Sequence, residues 1–439
     1  MCADFSTASR DIVSRVHKQL QRFLDHTKAE RIVVAYSGGL DSTVLLHLTH
    51  NLSAKLHCKL LAVHINHRLH PEADNWEAHC REQAKSMGIA YQSEVVQASD
   101  KHPQGMEAAA RELRYRALQR IMKANDLLLT AHHQNDQAET VLLRLLRGAG
   151  TTGLKAIPEY RTLAEGALAR PMLSISRTDI HHYAQAHQLN WIDDPGNEDL
   201  HYARNYIRHR VAPVLETRWQ TWHQAVARAA AHQVEADTII TAEAKRYLHR
   251  CLLPHSVNLL IRVLLTMPTA YRHVVLRAWC KLNEIPPPDT RQLVRICSMI
   301  SEHILKRNAS GGGMICTYSD IGIGFYHGIL YAIKPSKHIP ISSIEWHNDK
   351  DCEIPQLNLI LRRTELMRQA PVLFDQALIV DFRRGGERCA FQDTSNRLFH
   401  KSLKKVFQEY RVPMWQRGRI PLIYAQGRLR LIWNITACA

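Results

Sequence analysis

The stretch of sequence that decides the fold of this 439-residue chain is Ser37-Gly38-Gly39-Leu40-Asp41-Ser42. It follows an apolar run over residues 32–36 that is rich in β-branched side chains, as a buried parallel strand is. Residues 43–48 read as the first turns of a helix. A Gly-Gly turn between a strand and a helix leaves backbone N–H groups aimed at whatever lies at the helix N-terminus. The stretch therefore predicts an anion site, with phosphate as the expected ligand.

The loop does not end in the Gly-Lys-Ser/Thr of a Walker P-loop. It resembles the pyrophosphate loop of the ATP-pyrophosphatase families, which transfer AMP and release pyrophosphate. A plain strand-to-helix turn is the alternative for Ser-Gly-Gly alone, but the strand before it and the Asp-Ser pair after it favour phosphate binding. We therefore expect ATP at this loop.

Composition sets the broad class of the chain. Its length allows two or three domains, and a hydrophobic content of 45% predicts a sizeable core. The N-terminus lacks the features of a secretory signal, and no apolar run approaches the roughly 20 residues of a membrane-spanning helix. The ten cysteines are scattered without a Cys-x-x-Cys pair, so we expect reduced thiols and neither a zinc site nor a redox dithiol. These features predict a cytoplasmic protein.

The chain is basic, and the excess of positive charge is concentrated near its C-terminal end. Lys and Arg outnumber Asp and Glu by 57 to 41, a net charge of +16. Residues 362–430 hold 15 of these cations and 6 carboxylates, which is over half of the excess. A basic module of this kind favours a nucleic-acid partner. A merely solvated surface is the alternative.

Strand-like runs alternate with helical stretches after an amphipathic helix at 11–28. The strands are expected at 32–36, 59–65, 89–96 and 127–131, and the helices between them at 42–52, 73–87 and 105–124. This alternation predicts an α/β fold, a parallel sheet with helices on both faces. Ligands bind such sheets at the carboxyl ends of the strands. Ser37, His64 and His132 fall at the ends of three of the strands and are expected to converge on one crevice.

We predict four segments along the chain. Residues 1–215 form the pyrophosphate-loop ATP-binding catalytic domain, and residues 216–335 form an Ala-rich connector helix followed by a helical domain. Residues 336–370 are mixed in character and are predicted to be a linker. Residues 371–439 combine strand-like runs with a basic helix, which predicts a small α+β domain.

Four further stretches, in order along the chain, carry a resemblance to a known family. They are Ala62-Val63-His64-Ile65-Asn66-His67; Ala110-Arg111-Glu112-Leu113-Arg114-Tyr115; residues 130–150, from Thr-Ala-His-His-Gln-Asn-Asp to Arg-Gly-Ala-Gly; and Asp193-Asp194-Pro195-Gly196-Asn197 with Arg204-Asn205-Tyr206-Ile207-Arg208. With the pyrophosphate loop they resemble the tRNA(Ile)-lysidine synthase family. The basic runs at 384–388 and 401–407 are similar to that family's C-terminal domain. The resemblance is weakest over residues 230–375.

The resemblance implies a ligase that uses ATP and Mg²⁺. Such a ligase joins the ε-amine of free L-lysine to C2 of the wobble cytidine in the CAU anticodon of an isoleucine tRNA, which then reads AUA in place of AUG. The C2 oxygen attacks the α-phosphate, pyrophosphate leaves, and lysine displaces AMP. Residues 216–335 and 371–439 would then bind tRNA. No membrane partner is implied, and the oligomeric state is open, with a homodimer as one option.

The residues of this chain suit each step. Contacts to ATP are expected from the loop and from the end of the second strand, at Ser37, Gly38, Gly39, Leu40, Asp41, Ser42, His64 and Asn66. Asp41 is expected to ligate Mg²⁺, with Asp136 and Glu107 as further ligands. A helix cap is the alternative role for Asp41 and is compatible with metal binding.

A helical face that carries Glu107, Arg111 and Arg114 is predicted from their i, i+4, i+7 spacing. Arg111 is expected to act in catalysis by neutralising the charge that develops on the α-phosphate. A surface ion-pair ladder is the alternative.

The lysine nucleophile needs help to lose its proton. With an ordinary pKa near 10.4, only about one amine in 2,500 is neutral at pH 7, which adds ~4.6 kcal/mol to the barrier. We predict Asp136 as the catalytic group, with His133 and Glu139 orienting substrate or metal. Packed or solvent-facing histidines are the alternative for the His-His pair. The family usually has Asp where this chain has Asn135, and we favour the interpretation that this first carboxylate is not essential.

Substrate choice requires contacts beyond the anticodon, because methionine tRNA shares CAU. The candidates for tRNA binding are Arg204, Arg208, Arg383, Arg384, Arg388, Lys401, Lys404, Lys405, Arg411, Arg417 and Arg419.

Three other functions compete with this interpretation. A tRNA sulfurtransferase shares the loop, but no cysteine lies in any motif. A glutamine-dependent amidotransferase needs a glutaminase domain before the loop, where only 36 residues precede Ser37. A catalytically dead RNA-binding protein has Asn135 as its only support.

Overall fold

The computed structural model describes residues 2–97, 106–305, 313–318, 321–333, 342–347, 350–374, 376–392, 395 and 397–438. The chain divides into two compact units, Met1–Thr238 and Ile239–Ala439. The division falls within one long helix instead of at residue 215, because the first half of that helix packs with the N-terminal unit.

The first unit alternates strands and helices. The strands are β1 (Arg31–Ala35), β2 (Lys59–Asn66), β3 (Ala90–Val95), β4 (Asp126–Leu129), β5 (Tyr160–Leu163) and β6 (Gly166–Ala169). The helices are α1 (Cys2–Thr27), α2 (Leu40–Leu56), α3 (Ala73–Ser86), α4 (Met106–Ile121), α5 (Gln134–Leu146), α6 (Thr151–Leu154), α7 (Arg177–Ala186), α8 (Ala203–Tyr206), α9 (Ala212–Arg218) and α10 (Trp222–Cys251). The four predicted strands lie within two residues of their expected bounds.

The six strands form one sheet in the order β3-β2-β1-β4-β6-β5. All neighbours are parallel except β5, which pairs antiparallel with β6. The chain moves from β1 to β2 on one side and returns to place β4 on the other side of β1. Crevices open at such a switch point, beyond the carboxyl ends of the two strands. The predicted α/β fold is confirmed, and the switch point lies at the predicted anion loop.

Both faces of the sheet are buried, which explains the continuous apolar run in β1. Ile32 and Val34 pack with α1, α2 and α7 in one core. Val33 faces the opposite way and packs with Leu118 of α4 in a second core. A strand covered on both faces has no polar side, so its sequence lacks the alternation of an exposed strand.

The second unit contains more strands than the sequence predicts. Its elements are β7 (Leu259–Leu260), α11 (Ile261–Leu265), α12 (Thr269–Leu282), α13 (Thr290–Leu305), β8 (Gly313–Tyr318), β9 (Ile321–Tyr326), β10 (Ile329–Ile333), β11 (Ile344–Trp346), β12 (Cys352–Ile354), β13 (Leu359–Leu361), α14 (Arg363–Gln369), β14 (Leu378–Asp381), β15 (Arg388–Gln392), β16 (Leu398–Ser402), α15 (Leu403–Glu409), β17 (Leu422–Ala425), β18 (Arg428–Ile432) and β19 (Thr436–Ala437). Residues 313–333, expected in a helical domain, form three antiparallel strands. Residues 344–370, expected in a linker, contribute strands, a helix and core residues.

The described cysteines differ from the expectation of reduced thiols in one place. Cys389 of β15 and Cys438 form a disulfide whose Cα atoms lie 5.6 Å apart, and they are 49 residues apart in sequence. Their spacing along the chain gives no signal of this pairing, because the two cysteines meet only through the packing of one core cluster, which joins segments far apart in sequence. Within the described part of the chain, no helix is both long enough and apolar enough to span a membrane.

Candidate active site

The loop after β1 turns sharply at Gly38. Its φ of +85° lies in the left-handed region that favours glycine, and a Cβ there would lie 2.6 Å from Ile192 Cδ1 and 2.8 Å from Cys80 Sγ. The Ile192 N–H donates to the Gly38 carbonyl at 2.9 Å, which ties the loop to a later segment. Gly39 is the N-cap residue of α2, and no side chain there accepts a hydrogen bond from the first turn of the helix. The first amide groups of α2 are therefore left to a ligand rather than to a capping side chain.

Ser42 closes this loop on itself. Its hydroxyl accepts a hydrogen bond from the Ser37 N–H at 3.2 Å and donates to the Gly39 carbonyl at 2.9 Å. The sequence predicts that this hydroxyl holds pyrophosphate, whereas the structure places it in the loop's own hydrogen bonds at the cavity edge. The loop is thus shaped before any ligand arrives.

His64 and Asn66, at the end of β2, support the loop from behind. His64 Nδ1 lies 3.0 Å from the Tyr36 carbonyl, to which it donates. The Asn66 amide donates to Asp74 and to Glu77, at 2.9 and 3.0 Å. Both residues are buried, and neither belongs to the described lining of the cavity below. Their geometry fits bracing of the crevice rather than direct contact with ATP.

Four charged side chains form one buried cluster, which we call the acid–arginine cluster: Asp136, Glu139, Arg204 and Arg208. The two acids lie on α5 and are 8% and 3% exposed. Arg204 binds both, with Nη2 2.8 Å from Asp136 Oδ1 and Nε 2.9 Å from Glu139 Oε2. Arg208 also binds both, at 3.1 Å to Asp136 Oδ1 and 2.7 Å to Glu139 Oε1. Each guanidinium therefore spans the two carboxylates.

The backbone explains why both arginines reach the acids. A π-helical turn over Ile207–Val211 follows α8 directly, so Arg204 and Arg208 lie four residues apart on one continuous helical stretch. Burial raises the pKa of Asp136, but His133 and the two guanidinium groups outweigh it and lower that pKa well below its usual range. Asp136 is therefore a permanent carboxylate and a weak proton acceptor.

His133 begins α5 and is 0% exposed. It forms a reciprocal cap with Asp136: its Nδ1 accepts from the Asp136 N–H at 3.4 Å, and that carboxylate accepts from the His133 N–H at 3.0 Å. Its Nε2 lies 3.6 Å from both Asp41 Oδ2 and Asp136 Oδ2. Burial lowers the pKa of His133, but the Asp136 and Asp41 carboxylates outweigh it and leave that pKa raised.

Two buried polar atoms at this point have no hydrogen-bond partner among the described residues. They are His133 Nε2 and Asp41 Oδ1. Unsatisfied buried polar atoms are costly, and a pair of them beside an anion loop marks a ligand position.

The neighbouring His132 is held in a different protonation state. Its Nδ1 lies 3.0 Å from Thr130 Oγ1 and accepts from Arg170 Nε at 3.4 Å. Because a guanidinium only donates, the neutral ring carries its proton on Nε2. Burial, helped by Arg170, Arg204 and Arg111, lowers the pKa of His132 to about 3. His132 therefore presents a neutral N–H donor to the cavity that it lines.

These groups meet in one cavity of about 560 Å³, which we call the reaction cavity. The predicted site residues in its described lining are Ser37, Gly39, Leu40, Asp41, Ser42, Arg111, Asp136, Arg204 and Arg208. Others lie behind that lining and support it: Gly38, His64, Asn66, His133 and Glu139. The side chain of Glu107 lies outside the described residues, so its predicted metal contact stays a prediction.

Asn135 points away from this chemistry. Its Oδ1 accepts from the Arg177 N–H at 3.0 Å, and it is not part of the described lining. A carboxamide oxygen and a carboxylate oxygen can both accept that hydrogen bond. The replacement of the family's usual Asp therefore removes no group that faces the reaction cavity here.

The basic residues of the second unit divide into exposed and engaged side chains. The exposed set is Arg383, Arg388, Lys404, Lys405, Arg411 and Arg419. Arg384 is also exposed, but it is engaged in an ion pair with Asp381 at 3.1 Å. Lys401 forms an ion pair with Glu409 at 2.8 Å. Arg417 is buried and donates to the Val412 carbonyl at 2.9 Å. Only the exposed set is available for RNA without rearrangement.

Sequence reasoning missed the partners of Arg204 and Arg208, which it assigned to tRNA. The signal was present in the spacing, because acids at i and i+3 on one helix match arginines at i and i+4 on another. It also missed Arg177, which lies in the lining of the cavity, and Arg170, which lies behind that lining and donates to His132. Nothing in their local sequence distinguishes them from surface arginines.

The glycine loop at the switch point and the charged crevice beside it define a PP-loop nucleotide-binding enzyme. Residues 12–215 match the family model of the PP-loop domain, residues 259–319 the TilS substrate binding domain, and residues 378–439 the TilS substrate C-terminal domain. The chain is 37% identical over 415 residues to the tRNA(Ile)-lysidine synthase of Coxiella burnetii, covering 94% of this chain and 90% of that protein.

Other curated relatives agree. The tRNA(Ile)-lysidine synthase of Legionella pneumophila strain Lens is 34% identical over 406 residues, with 92% of this chain and 90% of that protein covered. The one from Alkalilimnicola ehrlichii is 36% identical over 406 residues, covering 92% and 89%. The chain belongs to the tRNA(Ile)-lysidine synthase family.

Replacing Gly38 by Ala should destabilise the first unit by about 2 kcal/mol, because the positive φ and the Cβ contacts both oppose a side chain. Urea unfolding followed by circular dichroism measures this. Gly39→Ala is the matched control, since its Cβ would meet no heavy atom nearer than 3.7 Å, the Ser37 Oγ. Equal midpoints for the two variants would contradict the assignment of strain to Gly38.

The first unit should lose stability as the pH falls from 6.5 towards 4. Burial first, then neighbouring positive groups, lowers the pKa of His132 to about 3 and of His47 and His67 to about 4, from 6.5. In that pH window these histidines are protonated in the unfolded chain but not in the folded chain. Each of them therefore contributes a slope of about 1.4 kcal/mol per pH unit to the free energy of unfolding. Urea midpoints from pH 7.5 to 4.5 test this, and His47→Gln should reduce the loss. The same pH dependence in His47→Gln as in wild type would argue against it.

Proposed function

We propose that this protein ligates the ε-amine of L-lysine to C2 of the wobble cytidine in the CAU anticodon of an isoleucine tRNA, converting ATP to AMP and pyrophosphate. The observation that carries the proposal is one cavity at which three features meet. They are an anion loop, buried atoms of Asp41 and His133 that have no hydrogen-bond partner among the described residues, and a carboxylate pair held by guanidinium groups. Family membership supports the substrate class.

The loop and Arg111 divide the phosphates of ATP between them. Backbone amides at Gly39 and at the start of α2 hold the leaving pyrophosphate, since helix N-termini favour anions. Arg111 lines the same cavity and stabilises charge on the α-phosphate. Attack by the C2 oxygen is thereby directed to the α-phosphorus, and AMP is transferred instead of the terminal phosphate.

Asp41 fits a Mg²⁺ site better than Asp136 does. Asp41 Oδ1 is buried without a partner among the described residues, whereas Asp136 Oδ1 already receives Arg204 and Arg208. Mg²⁺ is usually held by one or two carboxylates together with substrate phosphates, so Asp41 beside the loop is a sufficient protein ligand. When bound, the ion would neutralise phosphate charge.

The role of Asp136 follows from its lowered pKa. A carboxylate held by two guanidinium groups accepts a hydrogen bond well and a proton poorly. We therefore assign Asp136, which lines the cavity, to orienting the lysine amine, and Glu139, which lies behind the lining, to holding the two guanidinium groups. Removal of the amine from water into a cavity lined by arginines lowers the amine's own pKa, as burial and neighbouring cations do for buried lysines. That effect replaces a dedicated strong base.

The alternatives lack comparable support. A sulfurtransferase would need reactive or cluster-binding cysteines, and the described lining of the reaction cavity contains none. A dead homologue would rest on Asn135, whose oxygen is engaged with the Arg177 backbone. We therefore retain the ligase.

The protein should incorporate labelled lysine into a CAU-anticodon isoleucine tRNA transcript when ATP and Mg²⁺ are supplied, with release of pyrophosphate. A transcript whose wobble cytidine is changed to uridine is the control and should take up no label, because the acceptor differs only at the reacting base. Incorporation that survives the change, or release of orthophosphate in place of pyrophosphate, would refute the proposal.

Reversing the charge of Lys404 and Lys405 to Glu should weaken tRNA binding by about tenfold at moderate salt, since each side chain is exposed on the basic surface of the second unit. Filter binding measures the Kd for tRNA, and equilibrium dialysis the Kd for ATP. The matched control reverses Lys55, in the last turn of α2, and Lys59, at the start of β2, which are exposed at the opposite end of the strands from the loop. Equal loss of tRNA affinity in both variants, or loss of ATP affinity in the first, would overturn the assignment.

A further inference from the structure

A second cavity, of about 680 Å³, lies next to the reaction cavity and has no role in the chemistry above. We call it the arginine cavity. Arginine supplies five of its eleven described lining residues, which are Arg111, Arg116, Arg144, Arg161 and Arg170. The described lining contains a single acid, Glu112. The charge of this cavity is therefore strongly positive.

Most of this charge is not neutralised within the described part of the chain. Glu112 forms an ion pair with Arg116, an exposed cation. Arg144 instead donates to the carbonyls of Gly153 and Ala156, at 2.7 and 2.8 Å. Hydrogen bonds to neutral carbonyls fix a guanidinium without cancelling its charge.

Arg170 and Arg161 are held in similar ways. Arg170 is 3% exposed and donates to the Pro158 carbonyl at 2.5 Å. Arg161 lies over the ring of Tyr115 with its Cζ 5.0 Å from the centroid, and Arg111 lies 5.3 Å from the same centroid. None of Arg144, Arg161 and Arg170 forms an ion pair with a carboxylate among the residues described here.

The cost of this arrangement is visible in the pKa values of Arg170, which is buried, and of Arg144, which is half-buried. Burial, followed by the charge of Arg111 and, for Arg170, of Arg161, lowers the pKa of Arg144 and of Arg170. Side chains that repel one another stay together in a folded protein when an anion completes the site. A planar guanidinium fork matches phosphate oxygens, and an aromatic ring tolerates a nucleotide beside it.

The position of the arginine cavity indicates which phosphate it takes. Arg111 and Tyr115 line both cavities, so the two share a wall. A base that enters the reaction cavity must leave its strand, and its flanking phosphates then lie at the cavity wall. The loop amides are reserved for ATP, which leaves the arginine cavity for the RNA backbone.

We propose that the arginine cavity binds the RNA phosphate that flanks the target cytidine, with Arg161 as a direct contact. The proposal rests on the proposed function only for the identity of the target base. Pyrophosphate leaving the reaction cavity has the same chemistry and is the competing source of this phosphate, so the experiment separates the two.

The test measures binding of a synthetic CAU anticodon stem-loop RNA, without ATP or lysine, by fluorescence anisotropy over a range of salt. Arg161→Gln should weaken binding about fivefold and lower the slope of log Kd against log salt by about 0.7, the loss of one single-strand phosphate contact. Arg161→Lys should keep the slope. Arg116→Gln is the matched control, because it lines the same cavity but is neutralised by Glu112, and it should change binding less than twofold.

A modified RNA tests the contact itself. Replacing the flanking phosphate by a neutral methylphosphonate should weaken binding to the wild type and leave binding to Arg161→Gln unchanged, since that contact is already lost. Thermal unfolding shows whether the variants fold, and Arg161 is exposed on β5, so folding should persist.

Two results would overturn the proposal. The first is unchanged RNA affinity and salt slope in folded Arg161→Gln. The second is RNA binding that stays intact in Arg161→Gln while inorganic pyrophosphate inhibits lysine incorporation more weakly than it does in the wild type. The failure of the proposed function has a different signature. Wild-type protein would then bind the stem-loop through Arg161 but incorporate no lysine.

Discussion

Two guanidinium groups hold two buried carboxylates at the wall of the reaction cavity, and the rest of the site depends on this arrangement. The acid–arginine cluster joins α5, which follows the central strand β4, to the helical stretch that contains Arg204 and Arg208, about 70 residues later in sequence. Removing one member would leave an uncompensated buried charge, which typically lowers the free energy of unfolding by about 3–5 kcal/mol. The cluster therefore fixes the shape of the crevice and the protonation of Asp136 together.

The two adjacent histidines show how neighbours, and not residue type, set chemistry in this crevice. His133 faces the carboxylates of Asp41 and Asp136, and its pKa is raised despite complete burial. His132 faces arginines, and its pKa is lowered to about 3. The two carboxylates thus favour a proton on His133 Nε2 while its Nδ1 accepts the Asp136 N–H, and His132 is kept as a neutral donor. Sites that separate the pKa values of paired groups assign acid and base roles in this way.

Much of the first unit could be predicted from its sequence because its strands are buried on both faces. Such strands leave continuous apolar runs, and the loop after β1 adds a backbone requirement that only glycine meets at Gly38. The strands β8 to β10 escaped prediction for a physical reason. Gly324 interrupts the pattern of β9, but a Cβ there would lie 2.9 Å from the Trp415 ring, so the glycine serves packing between distant segments. Contacts of that kind leave no local signal.

The candidate site divides in the same way. The loop and Asp136 could be found because motif and spacing carry them, whereas the partners of Arg204 and the lining of the arginine cavity depend on tertiary contacts. The difference decides what the arginines do. In the acid–arginine cluster each positive charge is matched by a carboxylate. The cluster therefore orders the wall of the reaction cavity but contributes little net electrostatic field at a ligand. In the arginine cavity the guanidinium groups of Arg144 and Arg170 are fixed by neutral carbonyls, so their charge remains available. A protein that must bring together ATP and RNA, both polyanions, needs its uncompensated charge beside the reacting atoms and its compensated charge beneath them.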